Sequence, residues 1–352
     1  MSCILGRRAF FGLLFYCSLV WLNYAAPWPD QTQHRVLVGT AVDRNFLKQP
    51  DYAQTVKKYF KLITAQNEMK WQSLQAWPGD SGFTWDAADE IYSFVQNNNK
   101  LLRIHTLFAQ GQYPTWVEFM SPQDLRNAMG KLIFNVIQRY HDRTIAIDVC
   151  NEIFNDQDGK MRDNTVWFRK LNEDFVNFAY YTARQAGLLY NPKLLLYLND
   201  YGIEGPGSKA DAILHKAIEL KARGILDAVG FQCHFSVGKV PQGMKENMKR
   251  FTDAGLKIAI TELDIAIENV AVNGASQAVL EQQAQDFKHV FDICQQLDGC
   301  ISVTVWGVSP ADSWIGKNDF APGSGKAVLF DEGYKPSLAL QQLPQALFEN
   351  GN

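Results

Sequence analysis

Ile145-Ala146-Ile147-Asp148-Val149-Cys150-Asn151-Glu152 runs from a mostly apolar stretch straight into an amide and a carboxylate. A short run of this kind suits a parallel strand, which helices cover on both faces. The same unit recurs at Val36–Val42, Leu62–Asn67, Leu101–Leu107, Leu194–Leu198, Ala228–Gln232, Lys257–Thr261 and Ile301–Trp306. Between these runs lie segments of helical length and pattern. Ser121-Pro122-Gln123-Asp124 predicts a helix start, with a Ser cap and Pro in the first turn. Arg184-Gln185-Ala186-Gly187 and Asp253-Ala254-Gly255 predict helix ends at a glycine stop. Strand alternating with helix in this way predicts an α/β fold, a single (β/α)8 TIM barrel. A doubly wound open sheet would favour a Gly-rich phosphate loop after the first strand. Val38-Gly39-Thr40-Ala41-Val42-Asp43 supplies none.

The polar residues follow the same order. Nearly every strand runs into a polar or aromatic cluster at its C-terminal end, where barrel enzymes build their sites. These clusters are Gln66-Asn67-Glu68-Met69-Lys70-Trp71, Arg103-Ile104-His105-Thr106, Asn151-Glu152, Asn199-Asp200-Tyr201, Gln232-Cys233-His234, Thr261-Glu262-Leu263-Asp264 and Trp306-Gly307. One such cluster is an ordinary loop start. A ring of them in register implies groups converging on one long groove, and therefore an enzyme.

Composition narrows the partners. Of 352 residues, 47% are hydrophobic and 20% charged, a globular balance. The formal net charge is −3, without the basic patch that a nucleic-acid partner needs. Aromatic usage is rich, at 9 Trp, 13 Tyr and 22 Phe, which suits a ring-binding cleft or a large aromatic core equally. At the N-terminus Arg7 and Arg8 precede an apolar run from Ala9 to Leu22, with small residues at Ala25 and Ala26. That pattern predicts a secretory signal peptide over residues 1–26 and a catalytic barrel over residues 27–352. The run is short for a membrane span, so no membrane association is expected after cleavage. Four cysteines then remain, Cys150, Cys233, Cys294 and Cys300. Cys294 and Cys300 could close a small loop between a helix end and the next strand, while Cys150 and Cys233 read as buried small hydrophobes. No CxxC pair or metal-ligand spacing occurs, so neither metal nor cofactor is expected.

Two carboxylates carry the chemical argument. Glu152 and Glu262 sit at the ends of the fourth and seventh strands, which face each other across a barrel. Opposed carboxyls flanking a polar, aromatic cleft suit glycosidic cleavage, in which one protonates the leaving oxygen and the other attacks the anomeric carbon. Asn151 beside Glu152 suits a bond to the sugar 2-hydroxyl. His234 and Asp264 suit a pair that keeps Glu262 ionised.

With these residues in place, the chain resembles glycoside hydrolase family 10. The resemblance rests on Asn67-Glu68-Met69-Lys70-Trp71, Arg103-Ile104-His105-Thr106-Leu107, Asp148-Val149-Cys150-Asn151-Glu152, Gln232-Cys233-His234-Phe235 and Ile260-Thr261-Glu262-Leu263-Asp264. Leu198-Asn199-Asp200-Tyr201, Val305-Trp306-Gly307-Val308 and Leu329-Phe330-Asp331 extend it in order along the chain. It implies a secreted, retaining endo-1,4-β-xylanase, a monomer whose partner is its carbohydrate substrate. It further implies Glu152 as acid/base and Glu262 as nucleophile. Asn67, Lys70, His105, Gln112, Trp306 and Trp314 become glycone-side contacts, with Asn151, Tyr201, Gln232 and His234 around the reacting centre. It also implies a Cys294–Cys300 disulfide.

The chain departs from the family pattern at four places. Ala109 and Gln110 stand where a Trp and a His are usual, Gln66 stands for a sugar-binding Glu, and Ile315 follows Trp314 where Arg is common. Losing an indole removes a large apolar wall. A wall cut back to Ala suits a sugar bearing a hydroxymethyl group, so a hexose-bearing β-glycoside of the steroidal glycoalkaloid kind is the alternative substrate. A non-catalytic carbohydrate-binding barrel is the third reading, disfavoured by the intact Glu pair.

Overall fold

A computed structural model describes residues 36–317 and 321–348; the signal peptide expected over residues 1–26 lies outside them. The strands are β1 Leu37–Val42, β2 Leu62–Ala65, β3 Leu101–Ile104, β4 Thr144–Asn151, β5 Leu195–Asp200, β6 Ala228–Phe231, β7 Lys257–Ala266 and β8 Cys300–Val305. They pair in parallel in chain order, and β8 returns to β1 to close the barrel. Two short segments, Phe108–Ala109 and His234–Ser236, pair on the outer reaches of β4 and β7.

Each strand is followed by a helix: α1 Pro50–Tyr59, α2 Asp86–Asn97, α3 Pro122–Tyr140, α4 Asp174–Tyr190, α5 Ser208–Ala222, α6 Met244–Asp253, α7 Gln277–Gln296 and α8 Leu338–Gln342. The predicted start at Ser121 is present, with its Oγ accepting from Asp124 N at 3.1 Å and Pro122 in the first turn. The stop at Gly255 is also present, where φ is +75° and the N–H returns to Thr252 O. The stop expected at Gly187 is not. Gly187 is buried inside α4, which runs on to Tyr190 and ends at Asn191, directly before Pro192. Leu188 and Leu189 are good helix formers, and proline rather than glycine sets this boundary.

Two apolar layers hold the fold. Outward-facing strand residues such as Ile63, Leu102, Ile147, Leu196, Val229 and Ile258 pack on the helices, each buried. Inward-facing Leu37, Leu62, Leu101, Ala146, Leu195, Ala228 and Ala259 form a second cluster that fills the barrel floor. Strand side chains alternate with period two, so the inward series continues upward as Leu101, Arg103, then as Leu195, Tyr197, Asn199, and as Ala259, Thr261. Apolar at the floor and polar at the mouth, this gradient delivers functional groups to the C-terminal end. Cys294 and Cys300 are bridged, with Cα atoms 5.3 Å apart, while Cys150 and Cys233 are free and buried.

Candidate active site

The C-terminal ends of the strands open on a cleft of about 850 Å³. Its wall holds Lys70, His105, Gln112, Asn151, Glu152, Tyr201, Gln232, His234, Glu262, Trp306 and Trp314, all named from sequence. Asn67 is not in that wall. It is exposed, and its Oδ1 accepts from Lys70 Nζ and Gln112 Nε2, both at 3.1 Å. Lys70 Nζ also donates to Gln112 Oε1 at 2.6 Å, so the three polar side chains form one rigid triangle.

Glu152 and Glu262 come from β4 and β7 and are connected through side-chain amides. Gln232 Nε2 donates to Glu152 Oε1 at 2.9 Å and lies 3.4 Å from Asn151 Oδ1. Asn199 Nδ2 reaches Asn151 Oδ1 at 2.7 Å and Glu262 Oε1 at 2.8 Å. Thr261 Oγ1 donates to Asn199 Oδ1 at 2.6 Å, which fixes the orientation of that amide. On its other oxygen, Glu152 accepts from Gln110 Nε2.

Beneath Glu262 lies a ladder of charge. Arg103 and Asp148 are fully buried, with Nη1 2.5 Å from Oδ2, and Arg103 Nη2 also donates to Thr261 O at 2.7 Å. His105 Nδ1 is 2.8 Å from the same Asp148 oxygen and 3.8 Å from Glu262 Oε1. From the side, His234 Nε2 is 3.5 Å from Glu262 Oε2, and its Nδ1 is 2.9 Å from Asp264 Oδ2. Trp314 Nε1 donates to that Asp264 oxygen at 2.8 Å, so Asp264 orients an imidazole and an indole together.

These fields decide protonation. Burial pushes the Glu262 carboxyl up, but the His105 charge, a hydrogen bond and charge from His234, and Arg103 outweigh it and hold the group down to about 2. Burial lowers His234, yet Asp264 and Glu262 beside it drive the imidazole well above its ordinary value. Burial also lowers the Lys70 ammonium, with Glu262 and Glu152 opposing. The result is an ionised carboxylate in a nearly closed setting, only 5% exposed. Trp306 and Trp314 meet His105 and His234 edge-on, at centroid distances of 5.2 and 5.1 Å, and so join the aromatic wall to the charged centre.

The departures noted in the sequence fall in distinct places. Ala109 and Gln110 line the cleft. Gln66 does not; its amide turns to Asp312 O at 3.3 Å. Ile315 is buried with Ala266 and Ala327, packed against Trp314. Sequence reasoning did not identify Asn199 or Gln110 as carboxylate partners. Asn199 stood in a strand-end cluster, but its reach across to Glu262 depends on barrel geometry. Arg162 was missed altogether: it lies in a loop beyond β4, and its Nε donates to Glu152 O at 3.0 Å.

A closed parallel barrel with a polar cleft at its C-terminal mouth, rimmed by indoles, defines the class: a (β/α)8 glycosyl hydrolase. Residues 30–346 match the profile of Glycosyl hydrolase family 10, and the chain belongs to that family. It is 34% identical over 306 residues to endo-1,4-beta-xylanase A of Phanerodontia chrysosporium, covering 85% of this chain and 71% of that one. Among solved structures, it is similar to a glycosylated endo-beta-1,4-xylanase from Gloeophyllum trabeum, with TM-score 0.80 and 37% identity, covering 89% of this chain and 96% of that one. Xylanase 10B from Thermotoga petrophila RKU-1 in complex with xylobiose gives TM-score 0.81 at 28% identity, over 89% and 94% of the two chains.

Proposed function

We propose that the protein is a secreted, retaining endo-1,4-β-xylanase, with Glu262 as nucleophile and Glu152 as acid/base. The observation that carries this reading is the Glu262 carboxylate, buried and faced by His105, His234 and Asn199 in the same cleft as Glu152. An ionised carboxylate attacks the anomeric carbon while Glu152 gives its proton to the departing glycosidic oxygen. Glu152 then takes a proton from water, and the water oxygen displaces Glu262 from the sugar, leaving the anomeric configuration unchanged. Asn151 and Asn199 bond each other beside Glu262, where a 2-hydroxyl sits during the attack. The xylanase names of the relatives support xylan as substrate. Residues 1–26 serve as the signal peptide and residues 27–352 as the catalytic barrel, a monomer acting on its polysaccharide alone.

Ala109 in the cleft wall favours a second reading, a hexose-bearing β-glycoside, because an alanine leaves open the space a bulkier wall would fill. Product analysis on arabinoxylan, an aryl β-cellobioside and a steroidal glycoalkaloid separates the two, with Glu262→Ala as control. Xylo-oligosaccharides formed with β-anomers first are the expected result. Intact arabinoxylan with a freed steroid aglycone overturns the xylan reading, and α-anomers first overturn retention.

A further inference from the structure

We propose that Arg162 is a positioning residue for Glu152 and that it acts together with Tyr201. The inference rests on the reading of Glu152 as acid/base. Glu152 has φ +56°, in the left-handed region, where its Cβ crowds the following carbonyl oxygen. A residue in that conformation stays there only when its surroundings hold it. Both backbone polar groups of Glu152 are held. Its N–H donates to Asn199 O at 3.0 Å, and its carbonyl accepts from Arg162 Nε at 3.0 Å. Asn199 belongs to β5 and cannot move without the barrel. Arg162 is therefore the adjustable half of the clamp.

Arg162 is itself fixed by a small hairpin in the loop after β4. Phe154 pairs with Met161, Asn155 N donates to Lys160 O at 2.7 Å, and Arg162 N donates to Ile153 O at 2.8 Å. Gly159 turns this hairpin with φ +69°, and a Cβ there would lie 2.8 Å from Ser208 O at the start of α5. The hairpin and α5 thus pack as one body. Next along α5, Lys209 places Nζ 2.8 Å from both Asp156 Oδ1 and Asp200 Oδ1, and 3.8 Å from the centre of the Tyr201 ring. Arg162 Nη2 donates to Tyr201 OH at 2.9 Å, and Tyr201 OH donates to Asp156 Oδ2 at 2.7 Å.

One guanidinium therefore joins the backbone of Glu152 to the ring of Tyr201, which lines the cleft. A leaving-group sugar resting on Tyr201 presses on the same hydrogen-bonded frame that sets the acid. The sequence offered no signal for this, because Arg162 lies outside every strand-end cluster.

The test compares kcat/KM, which reports the first chemical step, on two leaving groups. Xylo-oligosaccharides need their departing oxygen protonated, whereas a dinitrophenyl β-xylobioside does not. Displacing the acid by an ångström costs on the order of 100-fold. Arg162→Met is expected to lose about that much on xylo-oligosaccharides and to stay within about 5-fold of wild type on the dinitrophenyl substrate. Arg162→Lys, which restores a donor, should recover part of the loss. Tyr201→Phe should move in the same direction by less, and it keeps the proposal testable if Arg162→Met does not fold. Equal losses on both substrates, or no loss on either, overturn the proposal. Glu152→Ala is the reference: leaving-group dependence there with none in the Arg162 variants overturns this inference alone, while its absence in Glu152→Ala overturns the acid/base reading beneath it.

Discussion

Gly230 and Asn199 compete for the same space: a Cβ built on Gly230 would lie 2.3 Å from Asn199 Oδ1 and 2.8 Å from the Thr261 methyl. The hydrogen on Gly230 is what lets the Asn199 amide lie between Thr261 and Glu262. Gly230→Ala is expected to cost about 1–3 kcal/mol through overpacking, read as a lowered Tm. Turnover of xylo-oligosaccharides should fall further than the stability loss accounts for, because the donor to Glu262 is displaced. A variant with wild-type turnover would show that Asn199 is not needed at Glu262.

The acid limb of the pH profile should follow Glu262. Its pKa in the folded protein, about 2, lies below the ordinary value of 4.5. Its contribution to stability is therefore complete above about pH 4.5 and is lost as pH falls toward 2. His234 lowers Glu262, so His234→Ala should move the acid limb to higher pH by about one unit or more. A kcat/KM profile of that variant superimposing on wild type would separate the limb from Glu262.

Gln110 places an N–H on Glu152 Oε2. That bond fixes where the carboxyl points, and misplacing a catalytic group by an ångström costs on the order of 100-fold, so Gln110→Leu should lower kcat on xylan by about 10- to 100-fold. KM should change little, since the amide serves the carboxyl. Steady-state kinetics on a defined xylo-oligosaccharide separate the two parameters, and a rise in KM alone would make Gln110 a sugar contact.

The Cys294–Cys300 bridge spans a sequence separation of 6 and ties the last turn of α7 to the first residue of β8, at the end of the barrel away from the cleft. A loop this small gives about 2 kcal/mol of stabilisation. Replacing both cysteines by Ala should lower Tm by about 3 °C in calorimetry and leave xylan hydrolysis unchanged.

Much of the barrel was legible because each buried strand shows as a short apolar run whose last residues turn polar. Glu152, His105, His234 and Trp306 could be placed on that ground, since each lies at or next to a strand end; Glu262 lies within β7, which runs on past the expected Thr261 to Ala266. Gly187 misled because the helix formers Leu188 and Leu189 carry α4 past it to Tyr190, and a Cβ there would meet Leu194 only at an ordinary contact distance of 4.0 Å. Asn199 sat in view, yet its bond to Glu262 depends on strand order and on the bare α-carbon of Gly230. Arg162 was invisible because a ten-residue return through a hairpin brings it back to Glu152, and no local pattern marks such a return.

Closure between β1 and β8 has a further meaning for the life of the chain. The pairing of Leu37 with Ser302 joins nearly the first described residue to one of the last strands made. A nascent polypeptide emerges N-terminus first and holds β1 long before β8 exists. During synthesis the ring is open, Trp306 is missing, and Glu262 has no finished cleft to face. A chain interrupted before β8 therefore lacks both the strand that closes the ring and the Trp306 wall of the cleft.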